Sequence, residues 1–253
     1  MRQPLVVANW KMNMTSPEAS VYCQRLRTLM QETTTPAEVV VCPPYTAIEV
    51  VRAAFVGSDL AVGAQNFYPA PKGAYTGEVS ISMLKALDCR YVIVGHSERR
   101  LRFGETAETI GEKVKVAVEH GITPILCVGE TMSERSLGMT EKVIGQQLLT
   151  CLKHLQSDQL AQVVVAYEPL WAIGTGRSAT AKDAAQLATY ARQRLQRLMN
   201  GDTDAMRILY GGSVAPDNIA EFAAADGVDG VLVGGASLDP DKFQAIARAY
   251  EVK

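Results

Sequence analysis

The chain has 253 residues, 47% of them hydrophobic, and a formal net charge of −2, enough for one barrel-sized domain or two small ones. Charge this nearly balanced, with no basic excess and no long charge run, argues against nucleic acid and against a polybasic membrane anchor. The opening MRQPLVVANWK lacks the apolar core of a signal peptide and no run reaches transmembrane length, so no membrane partner is expected.

Eight apolar runs recur along the chain, each bounded by turn residues and followed by a helical pattern: PLVVA (4–8), EVVVC (38–42), DLAVGA (59–64), RYVIVG (90–95), ITPILCV (122–128), QVVVAY (162–167), RILY (207–210) and DGVLVG (229–234). Continuous Val/Ile/Leu runs, as opposed to alternating ones, predict strands buried on both faces. After the first run, Thr15-Ser16-Pro17-Glu18 forms a capping box with proline in the first turn, and Tyr22, Leu26, Leu29 and Met30 share one face. Within 140–155, Val143, Ile144, Leu148, Cys151, Leu152 and Leu155 fall together, with His154 in the last helical turn. Thr180 to Asp183 caps a further helix that runs to near Gly201, and Asp239-Pro240 opens the last one, with Phe243, Ile246, Ala247 and Tyr250 inward. No linker interrupts residues 1–253, so the expectation is a single (β/α)8 barrel domain, a closed parallel eight-stranded sheet inside a ring of helices.

Cys23, Cys42, Cys89, Cys127 and Cys151 are scattered and contain no C-x-x-C. They read as reduced, mostly buried thiols of a cytoplasmic protein, neither a disulfide frame nor a zinc site. The sequon Asn13-Met14-Thr15 carries no weight without a secretion signal.

The polar residues that follow the runs carry the chemistry. They include Asn9-Trp10-Lys11, Gln65-Asn66, His96-Ser97-Glu98, Gly129-Glu130, Glu168-Pro169, Gly211-Gly212-Ser213 and Gly234-Gly235. In a barrel all of these lie on the C-terminal rim, where barrel enzymes keep their active sites. Glu168, at the mouth of an apolar strand, is poorly solvated, which makes a carboxylate a better base; the plain alternative is a strand-end acid paired with an arginine. His96 follows a strand and opens a helix that Ser97 can cap, and a helix N-terminus favours neutral imidazole over imidazolium. His120 and His154 sit near helix C-termini, the ordinary place for a histidine. Lys11 comes too early for a solvated helix face and offers a fixed cation. A base, a neutral donor and a cation together suit proton abstraction beside a carbonyl, with no metal and no cofactor required. The glycine pairs after the seventh and eighth strands lie where such barrels hold phosphate.

Gly174-Thr175-Gly176-Arg177-Ser178-Ala179 satisfies a dinucleotide fingerprint. It starts six residues after its strand, however, and beyond the first βαβ unit, so nucleotide binding is not expected.

The segments ANWKMN, CPPY, GAQN, GAYTGE, YVIVGHSERR, ILCVGE, AYEPLWAIGTG, YGGSV and DGVLVGGASL, in this order and over essentially the whole chain, resemble the triosephosphate isomerase family. The resemblance implies that Glu168 moves a proton between C1 and C2 of dihydroxyacetone phosphate to give glyceraldehyde 3-phosphate. It implies that His96 is the electrophile and that Asn9 and Lys11 bind substrate. Glu98 would orient Lys11 and Ser97 would hold Glu168 in an open state. Phosphate would meet Gly174, Ser213, Gly234 and Gly235. Pro169, Leu170, Trp171, Ala172, Ile173, Gly174, Thr175 and Gly176 would form a lid that removes water from the enediolate. The apolar segment Gln65 to Glu78 would be the arm that enters a second subunit of a homodimer, with Thr76 reaching its active site. Arg177 stands where many members begin the hinge with lysine, and Met14 where small or polar residues are usual. Two other readings remain at this point. One is another phosphate-binding barrel, an epimerase or a Schiff-base aldolase using Lys11. The other is a catalytically silent scaffold, against which the joint presence of Lys11, His96 and Glu168 argues.

Overall fold

The computed structural model describes residues 2–172, 179–199, 203 and 205–250. Its strands are β1 (Leu5–Asn9), β2 (Glu38–Cys42), β3 (Ala61–Ala64), β4 (Tyr91–Val94), β5 (Thr123–Val128), β6 (Val164–Tyr167), β7 (Ile208–Tyr210) and β8 (Gly230–Val233). They pair in parallel in chain order, and β1 closes on β8 through Leu5↔Gly230 to Ala8↔Val233. The expected eight-stranded parallel barrel is thus present, with most strands trimmed by a residue or two from the apolar runs.

Both faces of the sheet are covered, which is why the strands read as unbroken apolar runs. Leu5, Val7, Val40, Ile93, Ile125 and Leu209 fill the barrel interior. Their strand neighbours Val6, Ala8, Val39, Val41, Val92 and Leu126 point outward into a second apolar layer beneath the helices. Successive side chains of a strand point to opposite faces, so each strand feeds both layers.

The ring comprises α1 (Ser16–Gln31), α2 (Ile48–Phe55), α3 (Ile81–Ala86), α4 (Ser97–Phe103), α5 (Ala107–Glu119), α6 (Met132–Ser136), α7 (Thr140–Leu152), α8 (Ser157–Leu160), α9 (Ala181–Met199), α10 (Ile219–Ala223) and α11 (Pro240–Arg248). The capping box of α1 forms, with the Glu18 carboxylate accepting the Thr15 N–H at 2.7 Å. Tyr22 and Leu26 are buried and Leu29 only half so. Thr180 and Asp183 make the reciprocal bonds of a capping box at the start of α9, while Gly201 lies outside the described residues. Asp239 accepts the Asp241 and Lys242 N–H groups at the start of α11. Two helices are shorter than their sequence patterns: α7 stops at Leu152 and α11 at Arg248, so His154 and Leu155 belong to the connection after α7 and Tyr250, though buried, lies beyond α11. All five cysteines are buried free thiols.

Candidate active site

The strands end at a common rim, and the chemistry-bearing residues are carried there one after another. Asn9 is the last residue of β1, and its side-chain oxygen accepts the Lys11 N–H at 3.0 Å. Lys11 itself has φ 53, a left-handed conformation that only a surrounding set of bonds maintains in a non-glycine residue. The second restraint is Gln65, at the end of β3, whose Nε2 donates to the Lys11 carbonyl at 2.8 Å and to the Cys42 carbonyl at 3.0 Å. So held, the Lys11 ammonium reaches Glu98 Oε1 at 2.8 Å. Partial burial works against ionisation of Glu98, but the bond and charge of Lys11 outweigh it and hold the Glu98 carboxyl below its ordinary value.

His96 departs from the sequence expectation in a useful way. Helix α4 begins at Ser97, so the cap is His96 itself and not Ser97: Nδ1 accepts the Glu98 N–H at 3.3 Å. A ring nitrogen that accepts a main-chain N–H carries no proton, which leaves the hydrogen of a neutral imidazole on Nε2. That Nε2 lies 3.1 Å from Glu168 Oε1. The other oxygen of Glu168 accepts the Ser97 N–H at 2.9 Å. Ser97 therefore touches Glu168 through its backbone and not through its hydroxyl.

Glu168 is 1% exposed, and two glycines pack closely against it. A Cβ on Gly211 would lie 2.8 Å from Glu168 Cγ. On Gly129 it would meet the Glu168 carbonyl. Below it is the Cys127 thiol, which burial first and the Glu168 carboxylate second push well above the ordinary thiol value, so the floor of the site is neutral. The first glycine after β7 thus makes room for the acid, and Gly212 accommodates the Tyr210 hydroxyl; the sequence assigned this pair to anion binding.

Gly235 opens a short 3₁₀ turn, Gly235–Leu238, directly after β8. A Cβ on Gly234 would come to 3.4 Å of Lys11 Cε, so this turn and the cation share one corner of the rim. Ser213 is exposed nearby in chain order, and its carbonyl accepts Asn218 Nδ2 at 3.2 Å. Asn9, Lys11, Gln65, His96, Glu98 and Tyr45 line a cleft of about 230 Å³. Of the expected lid, Pro169 to Ala172 are described; Ile173, Gly174, Thr175, Gly176 and Arg177 lie outside the described residues. Thr76 lies on an exposed stretch, residues 71–78, on an arm whose base is tied by the Tyr68 N–H to the Val79 carbonyl at 2.8 Å. The segment before it is anchored by the fully buried Phe67.

Two residues that the sequence left without a role are prominent. Glu130 is 0% exposed and bonds the chain on both sides of Glu168. Arg135 stands beside it at 3.4 Å. No group of three or more His, Cys, Asp or Glu residues suited to a metal ion occurs among the described residues.

A closed parallel barrel that gathers Glu168, His96 and Lys11 on its C-terminal rim has the architecture of a barrel enzyme. Comparison with known proteins makes this specific. The family model described as triosephosphate isomerase matches residues 4–250. Proteins named triosephosphate isomerase are 51% identical over 246 residues in Moorella thermoacetica, covering 97% of this chain and 98% of that one, and 49% identical over 254 residues in Roseiflexus sp., covering both completely. A third, from Symbiobacterium thermophilum, is 47% identical over 251 residues, 98% of this chain and 97% of its own. The chain belongs to the triosephosphate isomerase family, and it is an isomerase.

Proposed function

We propose that the protein interconverts dihydroxyacetone phosphate and D-glyceraldehyde 3-phosphate through an enediolate, as a step of glycolysis and gluconeogenesis. Glu168 takes the proton from C1. The C2 carbonyl oxygen gains negative charge, stabilised by the His96 Nε2–H and the Lys11 ammonium. His96 then exchanges a proton between the two oxygens, and Glu168 returns its proton to C2. The observation that carries this reading is one continuous chain of contacts, from Lys11 Nζ to Glu98 (2.8 Å), from the Glu98 N–H to His96 Nδ1 (3.3 Å), and from His96 Nε2 to Glu168 (3.1 Å). It gathers the cation, the donor and the base in one connected group on the rim. A positioned base supplies roughly 10²–10⁴-fold, and each donor at a developing oxyanion roughly 3–4 kcal/mol.

The phosphate would sit over Gly234 and Gly235, where the N–H groups of the short turn and the adjacent Lys11 favour an anion, with Ser213 and Gly174 as further contacts. Only protons move, so the reaction is expected to run without metal or cofactor. Pro169 to Gly176 would cover the site during the reaction. A homodimer is proposed from the exposed arm at 71–78, with Thr76 at its tip, and from the exposed apolar side chains Met12, Met83, Leu101 and Phe103, which an interface would cover. Among the described residues no helix is long and apolar enough to cross a membrane; a cytoplasmic location is proposed from the five free thiols. A coupled assay with dihydroxyacetone phosphate in the presence of a chelator tests the reading: metal-independent turnover is expected, and folded protein without turnover would defeat it.

A further inference from the structure

Glu168 is fixed by its own bonds and also by the strand end next to it. The Glu168 N–H donates to the Val128 carbonyl at 2.7 Å and the Leu170 N–H to the Glu130 carbonyl at 3.1 Å. The Glu130 side chain then accepts the Tyr167 hydroxyl at 3.1 Å and the Trp171 indole N–H at 3.0 Å, both on Oε1. One fully buried carboxylate therefore grips the residue before the base and the third residue after it. Burying a carboxylate this deeply is costly without a partner charge, and Arg135 stands 3.4 Å from the same oxygen.

Arg135 does more than neutralise. Its other nitrogen bonds Asp183 at 2.7 Å, and its guanidinium lies over the Trp171 ring, 4.5 Å from the centroid. Asp183 caps α9 by accepting the Thr180 N–H and hydroxyl at 3.0 and 2.7 Å. A single planar group thus contacts Trp171 on one side of residues 173–178 and the start of α9 on the other. A fork for two acids combined with a flat face for an indole is specific to arginine; an ammonium carries the charge but neither geometry.

We propose that Arg135 is a positioning residue for Glu168, acting through Glu130 and Trp171; this rests on Glu168 being the base. It touches no reacting atom. Its effect should fall on kcat, because a base displaced by a fraction of an ångström still leaves substrate binding intact.

The experiment compares Arg135→Gln and Arg135→Lys with the unaltered protein, by steady-state kinetics and by the indole N–H signals in NMR. The chain has two tryptophans: Trp10, fully buried and remote from Arg135, is the internal control for Trp171. For Arg135→Gln a fall in kcat of about ten- to a hundredfold is expected with KM within about twofold, and a displaced Trp171 signal beside an unmoved Trp10 signal. Arg135→Lys should recover part of kcat but not the Trp171 signal. In a double-mutant cycle with Trp171→Phe the two losses should be strongly non-additive. Unchanged kcat in a folded glutamine variant, or an unmoved Trp171 signal, overturns the proposal. Should that variant not fold, Asp183→Asn, which frees one arm of the guanidinium and leaves Glu130 paired, must still displace the Trp171 signal; if it does not, the proposal fails. Absence of triose-phosphate turnover in the unaltered protein would instead sink the functional reading and leave the indole result to be read by itself.

Discussion

His96 Nε2 stands 3.1 Å from Glu168 Oε1, so the proposed electrophile and the proposed base are in direct hydrogen-bond contact. Both are almost fully buried, and atoms this close leave no room between them, so a substrate must part the pair to lie between them.

If Glu168 is the base, Glu168→Gln keeps the shape and hydrogen-bonding capacity of the side chain but cannot take a proton. kcat should fall by about three orders of magnitude or more, the upper part of what a positioned base supplies. Steady-state turnover checks this directly, and a loss of under about tenfold would mean that another group is the base.

Gly211→Ala tests the room that the fold leaves for this carboxylate. The new methyl would lie 2.8 Å from Glu168 Cγ, closer than carbon atoms pack, and the buried acid must yield. A drop in kcat of about ten- to a hundredfold is expected from the misplacement, with the protein still folded by circular dichroism. Unchanged turnover would show that Glu168 can shift without cost.

Lys11 and Glu98 should separate in their effects. Lys11→Met removes the cation at the developing enediolate and should reduce kcat/KM by roughly 10²–10³. Glu98→Gln removes only a partly exposed partner, worth under about 1 kcal/mol, and should cost less than about tenfold. Equal losses for the two variants would point to Glu98 acting on substrate itself.

Acid sensitivity has a local source at the opposite end of the barrel. Partial burial alone would raise the Glu38 carboxyl, but bonds from Arg207 and Tyr91 and the charges of Arg207 and Arg90 hold it below its ordinary value of 4.5. The unfolded chain therefore takes up the proton first as pH falls. The stability this acid contributes is complete above about pH 4.5 and is lost as pH drops through the lower value of the folded protein. Glu98 and Glu105 act in the same direction. In urea unfolding at roughly pH 6 and pH 4, Glu38→Gln should be less stable at the higher pH by about 2 kcal/mol and should lose less on acidification. An identical loss in both proteins would place the acid sensitivity elsewhere.

The barrel and its order were legible in the sequence, because burial of both strand faces forces unbroken apolar runs and because a parallel strand needs a helical return. The same logic put Lys11, His96 and Glu168 on one rim, since the residue after each strand has nowhere else to go. Helix ends were legible where a cap is a local event, as at Thr15 and Asp239. Other features depended on distance in space. That Ser97 meets Glu168 through its N–H and that Gly211 serves the acid follow from how neighbouring strands stagger, whereas the His96 cap of α4 is local but made by a ring nitrogen, which the usual capping residues do not announce. Glu130 and Arg135 read as ordinary charged residues near a turn. Only the closed barrel buries the first beneath Tyr167 and Trp171 and brings the second between Trp171 and Asp183, 48 residues along the chain, because those contacts are made by segments that the sequence keeps apart.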